Sequence, residues 1–186
     1  MASAIQQAES TRQSRSRQLE RGRGTPYKLV TAGVDAADIV CGAGGLMCDA
    51  VQAGLRVEVY LESIGGEHAL QILGVAAEIL PARFDFGAEW PDAVFFSRSL
   101  HDRSQALRRL ITDTSRHRTV EIASWDPTGS TQSDVPASIE HRLSYAARAF
   151  KHHAVKAVGS VELTTGMEVF SAIGRRSDGA APTPWR

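Results

Sequence analysis

The chain has little that would cross-link it or take it into a membrane. Its 186 residues include two cysteines, Cys41 and Cys48. On one helix, their seven-residue separation gives about 10 Å of rise, which is too far for a disulfide. No stretch approaches the roughly 18 to 20 uninterrupted apolar residues of a membrane-spanning helix, and the N-terminus lacks the apolar segment of a secretory signal. These absences predict a cytoplasmic protein without disulfides or membrane association.

Specific signatures of metal binding and hydrolysis are also missing. His152 and His153 are adjacent and diverge on a helix. The other four histidines lack metal-ligand spacing to one another: His68, His101, His117 and His141. No Gly-x-Ser-x-Gly elbow presents a serine nucleophile. The sequence therefore predicts no metal site and gives no specific support for hydrolase chemistry.

The composition is that of a globular chain with polar ends. It is 42% hydrophobic and 23% charged, which is too apolar for a chain that is disordered throughout. The ends mix Ser, Gln, Arg, Gly and Pro without apolar periodicity. We therefore predict a disordered basic arm at 1–26, a single α/β domain at 27–174 and a disordered tail at 175–186.

Charge is concentrated in the arm although the whole chain is neutral. Residues 1–25 contain two acidic side chains, Glu9 and Glu20, against five arginines: Arg12, Arg15, Arg17, Arg21 and Arg23. Clustered cations favour contact with an anionic polymer or an acidic protein surface, because counterions are released on binding. The final helix, with its many Lys, Arg and His residues, would add a second basic surface. A solubilising arm and an ordinary solvated helix face are the alternatives.

The apolar pattern predicts alternating helices and strands. Asp35 and Asp38 mark a helix start, and Gly54 marks its end. A second helix begins at Asp102 or Ser104, and a long final helix with Phe150 on its apolar stripe runs from Ser133 or Asp134 to Val158. The predicted strands are Arg56–Leu61, Val75–Leu80, Ala93–Ser97 and Val120–Ser124. This order predicts a Rossmann-like three-layer sandwich with a small, mostly parallel sheet of about four strands.

A glycine-rich stretch, Cys41 to Gly45, has two interpretations. In a dinucleotide-binding fold, Gly42 and Gly44 would admit a pyrophosphate, and Glu62, about 20 residues on, would bind a ribose hydroxyl of NAD(P) or FAD. The third glycine of that fingerprint is replaced by Met47. The same residues also fit one continuous helix whose small side chains allow close packing.

Three further stretches carry a resemblance to a known family. They are Ala43 to Val57, Ile72 to Val75 and His141 to Lys151. In these stretches the chain resembles a family of uncharacterised actinobacterial α/β proteins, over about residues 36–170. The resemblance implies one shared α/β domain and no particular activity. Members of the family also have a bulky residue after the glycine pair, which disfavours dinucleotide binding.

The ends of the predicted strands locate a possible ligand cleft. Ligands of open α/β sheets bind at the carboxyl ends of the strands. Here those ends offer Ser63, Gly65, Arg98, His101, Trp125 and Asp126. Arg98 is suited to hold an anion, His101 to exchange a proton and Trp125 to stack on a planar ring.

The sequence thus favours a non-catalytic regulatory or interaction module that needs no cofactor. The alternative is a nucleotide-binding enzyme, such as an NAD(P)- or FAD-dependent oxidoreductase. One structural feature distinguishes them. Dinucleotide binding requires residues 36–53 to form a strand, a turn and a helix, whereas the module requires a single helix.

Overall fold

A computed structural model describes residues 26–116, 120–126, 138–161 and 164–173. The elements of the first half are β1 (Lys28–Gly33), α1 (Ala36–Gln52), β2 (Arg56–Leu61), α2 (Glu67–Ile72), β3 (Ala77–Ile79) and β4 (Ala93–Ser97). Those of the second half are α3 (Arg98–Arg103), α4 (Gln105–Thr114), β5 (Glu121–Trp125), β6 (Ser138–Arg142), α5 (Tyr145–Ala157) and β7 (Met167–Ala172). All of the predicted arm except Pro26, and the whole of the predicted tail, lie outside the described residues.

The strands form one mixed sheet in the order β3-β2-β1-β4-β5-β7-β6. The first five strands are parallel, and β7 runs antiparallel to both β5 and β6. The prediction of about four strands is therefore wrong, because the described residues form seven. The α/β class and the mostly parallel sheet are confirmed.

Alternating side chains of the central strands enter two hydrophobic clusters on opposite faces of the sheet. Leu29 and Phe95 lie in the cluster covered by α1, α2 and α5. Val30 and Phe96, their neighbours along the strands, lie in the cluster covered by α3 and α4. Because successive strand residues point to opposite faces, β1 and β4 are buried on both sides.

Helix α1 begins and ends as the sequence predicts. Asp35 is its N-cap and accepts a hydrogen bond from the Asp38 amide. Gly54, with a φ of +77°, follows the C-cap residue Ala53 in a left-handed conformation that suits glycine. Between these caps lie Gly42, Gly44 and Gly45, so the glycine-rich stretch is helix interior.

The predicted final helix is wrong in its first half. Residues 138–142 form strand β6, the helix begins only at Tyr145 after the Ser144 cap, and the predicted start at Ser133 or Asp134 lies outside the described residues. Ile139 and His141 are buried by strand alternation. Phe150 is 45% exposed, so its place on a buried stripe is also wrong. Within the described residues, no helix has the length and apolar content to cross a membrane.

Candidate functional site

The sheet reverses its winding direction between β1 and β4. From β1 the chain passes through α1 to β2 on one side, and from β4 it passes through α3 and α4 to β5 on the other. The loops after β1 and β4 therefore diverge and leave a crevice at the carboxyl ends of these strands. Ligands of open α/β sheets bind at such a point.

The Asp38 carboxylate links the elements that meet beside this crevice. Asp38 Oδ2 accepts from the Val34 amide at 2.8 Å, and its Oδ1 accepts from Trp125 Nε1 at 2.9 Å. The Asp38 amide in turn donates to Asp35 Oδ1 at 2.9 Å. These bonds join the end of β1, the first turn of α1 and the end of β5.

The carboxylates also decide which ligands the start of α1 can accept. A helix N-terminus ordinarily attracts anions through its free amides and its dipole. Here Asp35 already accepts from the Asp38 amide of the first turn, and the Asp35 and Asp38 carboxylates place negative charge there. The start of α1 is therefore a poor site for the pyrophosphate of a dinucleotide.

The dinucleotide interpretation of the glycines fails on the same helix. Residues Ala36–Gln52 form one continuous helix with no strand or phosphate loop within it. A Cβ added at Gly42 would lie 2.2 Å from the Trp125 ring, so this glycine makes room for an indole. Glu62 is exposed and forms an ion pair with Arg103 at 3.0 Å.

The residues of the predicted cleft lie at the carboxyl edge with different degrees of exposure. Ser63 and Gly65 are exposed, and the Ser63 amide donates to the Val34 carbonyl at 3.0 Å, which places this loop beside the β1 loop. Arg98 is exposed at the start of α3. His101 is 34% exposed, and its ring centroid lies 5.4 Å from that of Phe96.

Trp125 does not have the predicted stacking role. It is 3% exposed, packed on Gly42 and hydrogen-bonded to Asp38, so its ring has no open face for a ligand. Asp126 follows it and is half-buried.

Sequence reasoning missed a buried polar group beside Arg98. Ser97 is fully buried at the end of β4, and its hydroxyl has no hydrogen-bond partner in the described part of the chain. Asp35 and Asp38 were recognised from the sequence only as helix-capping residues.

Comparisons with known proteins identify the fold. No protein-family model and no curated protein matches the chain. Among solved structures, it is similar to a deacetylase in complex with teicoplanin, from the teicoplanin biosynthesis pathway, with 13% identity over 82% of this chain and 99% of that chain at a TM-score of 0.53. It is also similar to the 4-carboxy-2-hydroxymuconate hydratase of Pseudomonas putida, with 14% identity over 81% and 98% at a TM-score of 0.53. The chain shares its fold with two enzymes.

The chain is also similar to a triple mutant of a deacetylase from the teicoplanin biosynthetic pathway, with 15% identity over 72% of this chain and 82% of that chain at a TM-score of 0.53. These likenesses contradict the expectation of a non-catalytic module, because the three matched structures are two deacetylases and a hydratase. The alternative of an oxidoreductase is wrong as well, since the matched proteins are a deacetylase and a hydratase and α1 contains no dinucleotide loop.

Metal-binding clusters are not seen in residues 26–116, 120–126, 138–161 and 164–173. There, no group of three or more His, Cys, Asp or Glu side chains is placed to hold an ion. The crevice carboxylates instead accept hydrogen bonds from neighbouring amides and the indole.

A second polar cluster lies buried between α1 and the carboxyl-terminal elements. Lys151 and Glu168 are each 5% exposed, with Lys151 Nζ 2.6 Å from Glu168 Oε1 and 2.6 Å from the Cys41 carbonyl oxygen. The two Glu168 oxygens accept from the Gly45 and Leu46 amides, both at 2.8 Å. An ion pair is thus attached to the middle of α1, and we call this group the helix-centre cluster.

One helical turn further along α1, Asp49 binds His141 of β6. Asp49 Oδ2 lies 2.9 Å from His141 Nε2 and accepts from the Ser144 amide at 3.1 Å. His141 is 3% exposed, so it belongs to the core and contributes nothing to the predicted basic surface. Lys151 is likewise buried, which reduces that surface on α5 to exposed Arg148, His152, His153 and Lys156.

Burial also changes the acidity of two groups. Desolvation, with smaller contributions from Asp49 and Glu168, raises the pKa of the Cys48 thiol. Desolvation and the nearby Glu58 raise the pKa of Tyr60 to about 12. Neither Cys41 nor Cys48 forms a disulfide within the described residues.

Proposed function

We propose that this protein is an enzyme that adds water to a small polar substrate in the crevice between β1 and β4. The fold shared with a deacetylase and a hydratase supports the proposal, because deacetylation and hydration both consume water. The observation that carries it is the placement of polar residues at the point where the sheet reverses direction: the Asp38 carboxylate network follows β1, and exposed Arg98 and partly exposed His101 follow β4. The winding around β1 and β4 also supports the Rossmann-like description.

The proposed roles follow from exposure and bonding. His101 exchanges the proton of the attacking water, because its ring is partly accessible and follows β4 at the carboxyl edge of the sheet. Arg98 holds an anionic or strongly polar group of the substrate. Asp38 is a positioning residue, since both of its oxygens already accept hydrogen bonds within the protein.

The remaining cleft residues shape the crevice. Ser97 offers its unpaired hydroxyl from below, and Ser63, Gly65 and Asp126 form its rim. This chemistry needs no dinucleotide. A cytoplasmic site of action, expected from the sequence, remains part of the proposal.

Two assays on the full-length chain test the reaction class. The first follows acetate release from N-acetylated amino sugars, and the second follows hydration of unsaturated dicarboxylates, each with and without added Zn²⁺, Mn²⁺ or Mg²⁺. For whichever reaction is observed, we expect His101→Gln to lower kcat/KM by about a hundredfold, the usual scale of acid–base catalysis. The thermal unfolding midpoint should stay unchanged because the ring lies at the surface.

The matched control is His152→Gln, which removes an exposed histidine from α5 on the other face of the sheet. We expect full activity from this variant. Equal rates for the two variants would exclude His101 as the proton-transfer group. A wild-type chain inactive in both assays under every metal condition would contradict the proposed reaction class.

Contact with a partner remains a separate proposal. The arm residues Arg12, Arg15, Arg17, Arg21 and Arg23 lie outside the described residues, and their density of positive charge supports contact with an acidic protein or an anionic polymer. The exposed basic residues of α5 would extend this contact.

A further inference from the structure

The segment 80–92 between β3 and β4 has no regular secondary structure but is rich in rings. It holds two of the chain's six phenylalanines, Phe84 and Phe86, and one of its three tryptophans, Trp90. Connections longer than about 12 residues are uncommon in compact domains, and many of them form binding sites. A loop of this length with three aromatic rings is therefore a candidate binding site.

The rings form a continuous row on the face of the sheet covered by α3 and α4. Phe84 contacts Tyr60 edge-on at 5.0 Å and stacks on Phe86 at 5.7 Å, and Phe86 contacts Trp90 at 5.8 Å between centroids. Lys28 Nζ lies 4.5 Å from the Phe86 centroid. All three loop rings are only half-buried, so part of each remains open.

Between this row and α4 lies a groove of about 330 Å³. Ala106 and Leu110 of α4 form its apolar wall, and Arg83, Arg109 and Asp113 stand at its margin. Pockets for small ligands begin at about 300 Å³ and combine apolar walls with a few polar groups. The groove thus has room for a molecule of one or two rings.

The charge at the margin is positive. Arg83 and Arg109 are exposed, and neither forms an ion pair with another side chain in the part of the chain that the structure describes. The single carboxylate of the lining, Asp113, is paired with Arg116 at 3.2 Å. A ligand entering the groove meets two unpaired guanidinium groups.

We propose that this aromatic groove is a binding site for a small aromatic carboxylate. The ring of the ligand packs against Phe84, Phe86 and Trp90, which favour offset or edge contacts with another aromatic group. Its carboxylate binds the planar guanidinium groups of Arg83 and Arg109, whose geometry matches two carboxylate oxygens.

The groove is independent of the proposed catalytic crevice. The loop is fixed near the amino ends of β1 and β2, where the Lys28 amide donates to Asp92 and Arg56 pairs with Glu89. None of the residues that line the groove belongs to the proposed crevice. Failure to detect the proposed reaction would therefore not argue against ligand binding in the groove. Failure to detect binding in the groove would not argue against the reaction.

Calorimetric titration of the full-length chain with phenylacetate tests the proposal. We expect saturable binding, with at least about tenfold weaker binding of acetate, which lacks the ring, and of phenylacetamide, which lacks the charge. Arg109→Met and Arg83→Met should each weaken phenylacetate binding about tenfold. Arg142→Met, on the edge strand β6, is the matched control and should bind as the wild type does.

Thermal unfolding of each variant separates loss of binding from loss of fold. No binding of phenylacetate to the wild type would overturn the proposal, and so would equal affinity for phenylacetamide. Unchanged affinity in both folded arginine variants would also refute it. Tighter binding of adenosine monophosphate than of phenylacetate would assign the groove to a different ligand class.

Discussion

Lys151→Met is expected to destabilise the protein by about 3 to 5 kcal/mol, a large part of the stability of an ordinary domain. Methionine fills the space of the lysine stem but leaves Glu168 charged and buried, with only the Gly45 and Leu46 amides as partners. The Cys41 carbonyl also loses a donor at 2.6 Å. Urea unfolding followed by circular dichroism measures the loss.

The matched control is Lys156→Met on the same helix, an exposed lysine whose replacement should change the free energy of unfolding by less than about 0.5 kcal/mol. The double variant Lys151→Met, Glu168→Met should be less destabilised than the sum of its single variants, because it leaves no unpaired buried charge. A Lys151→Met protein as stable as the control would mean that the helix-centre cluster is open to water.

Gly42→Ala is expected to cost about 3 kcal/mol, although alanine is the better helix former by about 1 kcal/mol. The added Cβ would lie 2.2 Å from two atoms of the Trp125 ring. If the ring moved aside, it would lose its hydrogen bond to the Asp38 carboxylate. That bond is partly buried and joins the ring to a charged group, so its loss would itself be destabilising. Denaturant unfolding of the variant measures this cost.

Gly44→Ala is the natural comparison, because both glycines lie in the interior of α1. At Gly44 the nearest atom to an added Cβ is a flexible Leu73 methyl at 3.3 Å, so we expect a change of less than about 1 kcal/mol. Adding Trp125→Leu to Gly42→Ala should recover part of the loss. Equal effects of the two alanines would show that the indole does not pack on Gly42.

Local sequence patterns predicted the elements that carry a clear periodicity. Strands Arg56–Leu61 and Ala93–Ser97 and the Asp35 cap agree with the structure residue by residue. β1 escaped detection because all six of its residues are buried and no alternation is visible in Lys28–Gly33. β6 was assigned to a helix because Ile139 and Leu143, four residues apart, also fit a helical stripe.

The sequence predicted the position of site residues only where the end of a strand is enough to locate them. Arg98 and His101 follow β4 and lie at the carboxyl edge as expected. The bond from Trp125 to Asp38 joins residues 87 positions apart, and that from Gly45 to Glu168 spans 123 positions. Neither has a local signal, because tertiary packing alone brings such groups together. The same applies to Lys151, whose place on a helix gave no hint of burial.

The short ladder between β5 and β7 predicts which part of the fold unfolds locally first. Only two residue pairs join these strands, Ala123 with Ala172 and Ser124 with Ser171, whereas β6 and β7 share five. Few backbone pairs therefore attach residues 138–161 and 164–173 to the parallel strands, and we expect the amides of β6 and β7 to exchange with solvent before those of β1 and β4. These elements also follow β1 and β4 in the chain, so the strands that frame the crevice can pair before them during synthesis.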